Sequence, residues 1–158
     1  MDIQIRRADP DEAPVLTELA HAAKRHWGYP ESWIENWQAD LTITKEFIAE
    51  NDVFVAVSDN EVVGCGALVL GDSVAELEHM WIKPKRMGDG VGRALFTHLK
   101  ERAAQLDRFA LEISSDPNAE GFYERMGARR IGEVRADIDG QTRVLPRMRL
   151  DLIHQTQP

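Results

Sequence analysis

KRMGDGVGRALFTHL, residues 85–99, sets Gly88, Gly90 and Gly92 at every second position and then runs into a helical pattern. Glycine costs about 1 kcal/mol relative to alanine inside regular structure, so this spacing is expected where the backbone must let something large and charged come close. The first N–H groups of a helix have no intrahelical partner and carry partial positive charge, and a phosphate placed there can accept several hydrogen bonds. Two common phosphate motifs do not fit. A P-loop follows Gly-Lys with Ser or Thr, whereas Gly92 is followed by Arg93 and Ala94, and the dinucleotide fingerprint needs glycine where Arg93 stands. A nucleoside triphosphate and NAD are therefore set aside. A tight turn without a ligand is the competing explanation.

Outward from the turn, Val91, Ala94, Leu95, Leu99, Ala103 and Leu106 recur at helical spacing, which predicts a helix over about 91–106. Before it, VFVAVS (53–58), EVVGCGALVL (61–70) and SVAELEHMWI (73–82) read as strands separated by turns. After it, RFALEIS (108–114) reads as a strand and PNAEGFYERMG (117–127) as a helix stopped at Gly127. RRIGEVR (129–135) and VLPRMRLDL (144–152) read as closing strands. At the other end, DIQIRRA (2–8) is a short strand followed by an amphipathic helix with Val15, Leu16, Leu19, Ala22 and Ala23 on one face. Asp9 or Asp11 is its expected N-cap, and Pro14 suits a first turn. Further helical pieces carry Trp33 and Trp37 and cover about 44–50. This order predicts a single α/β (α+β) domain over 1–158, a mixed, mostly antiparallel sheet of about seven strands flanked by helices.

Composition narrows the classes. With 158 residues, 43% hydrophobic and 29% charged, the chain is long enough to bury one core. No apolar run approaches the roughly 20 residues that cross a bilayer, and the N-terminal stretch lacks a signal peptide's apolar segment. Together with the lone Cys65, this gives a cytoplasmic expectation and no membrane partner. The net charge of −8 is uneven: residues 1–80 hold 16 acids against 5 bases, and residues 81–158 hold 11 against 14. Neither half has the basic stripe of a nucleic-acid binder. Cys65 lies in an apolar strand with no base nearby, so it reads as core and not as a nucleophile.

WIKPKRMGDGVGRALFTHL (81–99) and NAEGFYERMGA (118–128) resemble the two signatures of the GNAT superfamily of acyl-CoA-dependent N-acyltransferases. Ile82-Lys83-Pro84 matches its aliphatic-x-Pro, Gly90 and Gly92 match the later small residues, and the second stretch matches Asn-x-x-x-x-Phe-Tyr-Glu-x-x-Gly. The element order resembles that fold over nearly the whole chain. The resemblance implies acetyl-CoA as co-substrate, with its pantetheine and diphosphate along Arg86, Met87, Gly88, Asp89, Gly90, Val91, Gly92 and Arg93. Met80, Trp81 and Ile82 on the preceding strand, and Asn118, Phe122 and Tyr123 in the second signature, complete the expected contacts. Two positions depart from the pattern. Met87 stands where Gln or Arg is usual, leaving Arg86 as the nearest substitute, and Asp89 puts an acid in the turn. At about 7 Å from one phosphate charge that acid would cost ~2.4 kcal/mol at an effective dielectric of 20, but ~0.6 in water. Asp89 is therefore expected to point outward.

Moving an acyl group from a thioester to an amine requires a proton acceptor, donors for the developing oxyanion and a proton for the departing thiolate. The resemblance gives Tyr123 the last role, and a phenol with a pKa of about 10 is nearly matched to an alkyl thiolate. Glu76 and Glu78 are two residues apart, which predicts one face of a strand. Glu78 matches a glutamate that several family members carry there and is the preferred base, directly or through water. His79 is expected on the opposite face. The oxyanion donor is expected from a backbone N–H around Trp81 or Ile82. No metal is implied.

RHWGYPESWIENW (25–37) gathers three of the four tryptophans, and the family resemblance places the acceptor wall in this region. Trp27, Tyr29 and Trp33, with Glu76, are the expected substrate contacts. Their aromatic faces, with Glu31, Glu35 and Asp40 nearby, suit a protonated amine. The acceptor is left as a small molecule or a peptide amine. Two readings compete: an N-acetyltransferase working by direct attack in a ternary complex, and a non-catalytic acyl-CoA sensor of the same fold. Oligomeric state is open, with a homodimer as one outcome.

Overall fold

A computed structural model describes residues 2–152. Its seven strands form one sheet in the order β1-β2-β3-β4-β5-β7-β6. β1 (Gln4–Arg7), β2 (Asp52–Ser58), β3 (Glu61–Leu70) and β4 (Val74–Ile82) pair antiparallel with one another in that order. β5 (Ala110–Ser114) pairs parallel with β4, and β7 (Gln141–Asp151) pairs antiparallel with both β5 and β6 (Arg129–Ile138). The one parallel pair is the one joined by a helical crossover, as such a pair requires.

The alternation of β2 sends side chains to both faces: Phe54 joins the cluster under α5 (Val91–Gln105), while Val53 and Val55 join the one under α1 (Ala13–His26). α5 buries Leu95, Phe96, Leu99 and Ala103 on the first face, where α6 (Glu120–Arg125) adds Tyr123. α1 and α4 (Lys45–Glu50) bury Leu16, Leu19 and Ile48 on the second. Cys65 belongs to that second cluster, and burial pushes its thiol up to about 12. Asp9 caps a 3-10 turn, Pro10–Glu12, in a reciprocal box with Glu12, and α1 starts one residue later with Pro14 in its first turn. The segment between α1 and α4 holds two short helices, α2 (Glu31–Asn36) and α3 (Gln38–Leu41).

Two features position the site. β4 and β5 pair only over Val74–Glu76 and Ala110–Glu112, and beyond that they part. In addition, the β3–β4 register slips between Ala67, opposite His79, and Leu68, opposite Leu77, so Glu78 is an extra residue in a β-bulge. The alternation of the strand is reset there. Leu77 lies with the α5 cluster, whereas His79 lies edge-on to Phe47 on the other face. The bulge thus puts Leu77 and His79, two residues apart, on opposite faces of the sheet.

Candidate active site

The gap between β4 and β5 opens into a cavity of about 660 Å³, within the size range of small-molecule sites. Leu77, Glu78, Met80, Trp81 and Ile82 form one wall and Ile113, Ser114 and Ser115 the other. The glycine turn and the start of α5 close one end, α6 covers one side, and Lys24 of α1 and Trp27, its C-cap, stand at the opposite end with Arg143 of β7.

At the turn, Gly88 and Gly90 have φ of 87° and 88°, a conformation that side chains disfavour. A Cβ on either would meet no protein atom within 4 Å. Gly90 is the N-cap of α5 and makes no side-chain cap, so the first N–H groups of a 15-residue helix face this end of the cavity. Gly92 is glycine for a different reason, because its Cβ would sit 3.3 Å from the Phe122 ring. Asp89 turns away from the cavity and accepts from Arg86 Nε at 3.0 Å, while Arg86 Nη2 donates to Ser58 Oγ at 3.2 Å. Neither Arg86 nor Asp89 lines the cavity, and Val91 is buried beneath the helix start. Arg93 and Arg125 do line it, and neither has an ion-pair partner among the described residues. Arg125 escaped the sequence analysis, although it lies within the second signature. Met87 also lines the wall.

Lys83 N–H donates to Val63 O at 2.8 Å. Antiparallel ladder bonds recur at every second residue, so Trp81 continues that set. Met80 and Ile82 turn their N–H groups away from β3, toward the space left by β5. Of the two amides expected as donors, Ile82 is therefore directed into the cavity and Trp81 is not; the amide of Met80, expected as a cofactor contact, is directed the same way as that of Ile82. The Trp81 indole instead donates to His79 Nδ1 at 3.0 Å. Burial lowers His79 to a pKa of about 4, so its imidazole is neutral and accepts that bond.

Glu78 faces the cavity with no ion pair among the described residues, and its carboxyl is raised above the usual range, first by burial and then by Glu76 and Asp40. Glu76 is taken out of the site. It accepts both arms of the Arg147 fork, at 2.7 and 2.6 Å, and does not line the cavity. Tyr123 is 5% exposed, and its hydroxyl makes no hydrogen bond among the described residues. Burial, with Asp116 nearby, raises its phenol well above the ordinary value.

The aromatic cluster is the largest departure from expectation. Tyr29 stacks on Trp33 at 5.8 Å and meets Trp37 edge-on at 5.1 Å. Its faces are occupied by the protein's own cations: Lys24 lies 4.4 Å over Trp37, and Arg143 lies 4.9 Å over Tyr29 and 4.8 Å over Trp37. Asp116 ties them together, accepting from Lys24 Nζ at 2.7 Å and from the Tyr29 hydroxyl at 3.0 Å. Asn118 is bound into the same group through its side-chain amide, which donates to Tyr29 and Asp116. Tyr29 and Trp33 thus brace the end of the cavity without lining it, whereas Trp27 does line it. Glu31 is paired with Arg25 at 2.9 Å and does not line the cavity. Among the described residues no cluster of His, Cys, Asp or Glu could hold a metal ion, and no helix is long and apolar enough to cross a membrane.

A parted strand pair, with a glycine turn and helix start at one end and a buried phenol on its wall, defines an acyl-CoA-dependent acyltransferase type of fold. The family described as Acetyltransferase (GNAT) domain matches residues 18–142, and the chain belongs to that family, whose acyl donor is acetyl-CoA. The peptidyl-lysine N-acetyltransferase YiaC of Escherichia coli (strain K12) is 26% identical over 125 residues, 78% of this chain and 81% of that protein. Among solved structures, a GCN5-related N-acetyltransferase from Rhodopseudomonas palustris superposes with a TM-score of 0.80 at 19% identity, covering 96% of this chain and 97% of that one. PaiA N-acetyltransferase from Thermoplasma acidophilum, in complex with coenzyme A, gives 0.74 at 21% identity, covering 96% and 99%. These two likenesses are of fold.

Proposed function

We propose that the protein transfers the acetyl group of acetyl-CoA to the nitrogen of an amine by direct attack in a ternary complex. The observation that carries this is Tyr123: a hydroxyl buried on the cavity wall without a protein partner is costly unless a ligand satisfies it. A pure acyl-CoA sensor has no need of it. Acetyl-CoA supplies an activated thioester and a diphosphate. The amides around Gly88 to Gly92 suit the diphosphate, with Arg93 and Arg125 adding charge. Glu78, with its raised carboxyl, takes a proton from the attacking nitrogen. The Met80 and Ile82 N–H groups face the space where oxyanion charge would develop. Tyr123, protonated at neutral pH, gives its proton to the departing sulfur as Glu78 takes one from the nitrogen, and the proton on Glu78 returns to the phenolate through solvent to complete the turnover. The buried Cys65 thiol supports direct attack over a covalent relay.

The test is thiol release from acetyl-CoA against a panel of amines, with Tyr123→Phe alongside the wild type. The variant is expected to bind coenzyme A as the wild type does and to lose about 100-fold in kcat. Unchanged kcat would remove Tyr123 from this role. Tight coenzyme A binding without thiol release from any acceptor would favour the sensor.

A further inference from the structure

Arg143 stands on the cavity wall with 11% of its side chain exposed, and it has no carboxylate to itself. Asp116 is the nearest acid, but its oxygens already accept from Lys24, from the Tyr29 hydroxyl, and from the backbone and side-chain nitrogens of Asn118. Arg143 stays 3.7 Å from it, beyond hydrogen-bond range. Among the described residues the guanidinium makes one hydrogen bond, from Nη2 to the Tyr29 hydroxyl at 2.9 Å, and otherwise lies against aromatic faces. Two cations thus share one carboxylate at this end of the cavity.

Glu78, the other acid on the wall, does not balance the excess. The charged groups that shift it are Glu76, Arg147 and Asp40, none of them in this cluster. Lys24 tells the same story from the opposite side: burial lowers its ammonium, Asp116 opposes that, and Arg143 adds to it. Two cations held this deep against one carboxylate leave a positive charge unbalanced, which is costly. Of the two, Arg143 has the planar N–H edge that best matches a carboxylate.

We propose that the acceptor is an amine that also bears a carboxylate, as a free amino acid does, and that Arg143 binds this carboxylate while the nitrogen is presented toward Glu78. This deepens the N-acetyltransferase assignment and rests on it. Arg143 is then a specificity-determining residue, held in place by Tyr29, Trp33 and Trp37. The cage expected to receive the substrate's cation instead holds the protein's cation, and so selects the opposite charge.

The experiment compares L-amino acids with their carboxamides, and with a lysine peptide blocked at its C-terminus, as acceptors for the wild type, Arg143→Gln and Arg143→Lys. The wild type is expected to favour the acid over its amide by at least tenfold in kcat/KM, mostly through KM. In Arg143→Gln that ratio should collapse toward one, with Arg143→Lys between. Because the ratio is internal to each protein, a general loss of folding leaves it unchanged. Equal kcat/KM for acid, amide and blocked peptide in the wild type, or an undiminished ratio in Arg143→Gln, would overturn the proposal. So would a tenfold loss of coenzyme A affinity in Arg143→Gln, which would assign the guanidinium to the donor. If no acceptor releases thiol, the transferase function fails on its own. Calorimetry with an N-acetyl amino acid in the presence of coenzyme A then decides the site: binding lost in Arg143→Gln supports it, and equal binding of the acid and its amide overturns it.

Discussion

His79 lies behind β4 with its imidazole buried, accepting from the Trp81 indole, and folding lowers its pKa to about 4. The unfolded chain takes up that proton near 6.5. Between these values the unfolded state binds more protons, so stability rises with pH across the window and this contribution is complete above pH 6.5. At pH 5 the loss from this one group is about 2 kcal/mol. Thermal midpoints at pH 7 and pH 5 should therefore differ by several degrees more in the wild type than in His79→Gln, whose amide oxygen can still accept from Trp81. An equal difference would show that His79 is not the group responsible. Glu78 titrates in the opposite sense, its carboxyl raised by burial and by Glu76 and Asp40. A base must be unprotonated to act, so kcat/KM should fall with acidity through a limb above the ordinary carboxylate range. Glu78→Gln should lower kcat about 100-fold and lack that limb. Tyr123 and Glu78, which both line the cavity, could be singled out from the sequence because each sits inside a local pattern. Lys24, Asp116 and Arg143 could not, since they lie far apart along the chain and meet only after folding.

At the scale of elements, the glycine turn was legible as an open helix start, and it lines the cavity, but its three glycines do not share one cause. Gly90 is required by its left-handed backbone, and Gly92 by the ring beside it. Gly90→Val forces a β-branched residue into that conformation, at about 1–2 kcal/mol, and crowds the amides. Coenzyme A affinity measured by calorimetry should fall at least tenfold. Gly92→Ala should instead act through Phe122, lowering the thermal midpoint with a smaller effect on affinity. Equal effects of the two on affinity would mean that crowding of the turn is not what matters. The bulge at Glu78 left no trace in the sequence. Ala75-Glu76-Leu77-Glu78-His79 alternates without interruption, and only the pairing with β3 reveals the extra residue. The parting of β4 from β5 was invisible for a related reason, because it is a lack of hydrogen bonds between segments that each read as ordinary strand.

Across the whole molecule, seven strands and their flanking helices could be anticipated because turn signals separate every run, and two signatures fixed where the crossover lies. What could not be anticipated is how the last hairpin is held. β7 pairs with β5 only from Arg147 onward, so the outer part of β6 and β7 reaches beyond the shared sheet. The tip of that arm is fastened at Asp139, which accepts from Ser32 Oγ at 2.8 Å and Asn36 Nδ2 at 3.1 Å on α2. Arg143 rides on this arm, while the glycine turn and α5 belong to the crossover on the other side of β4. On the proposed function, coenzyme handling and amine choice are therefore carried by separate pieces of chain. Edits to one hairpin and its clasp would retune which amines are admitted while the donor machinery stays as it is, a division of labour that lets a single scaffold diversify without relearning its chemistry.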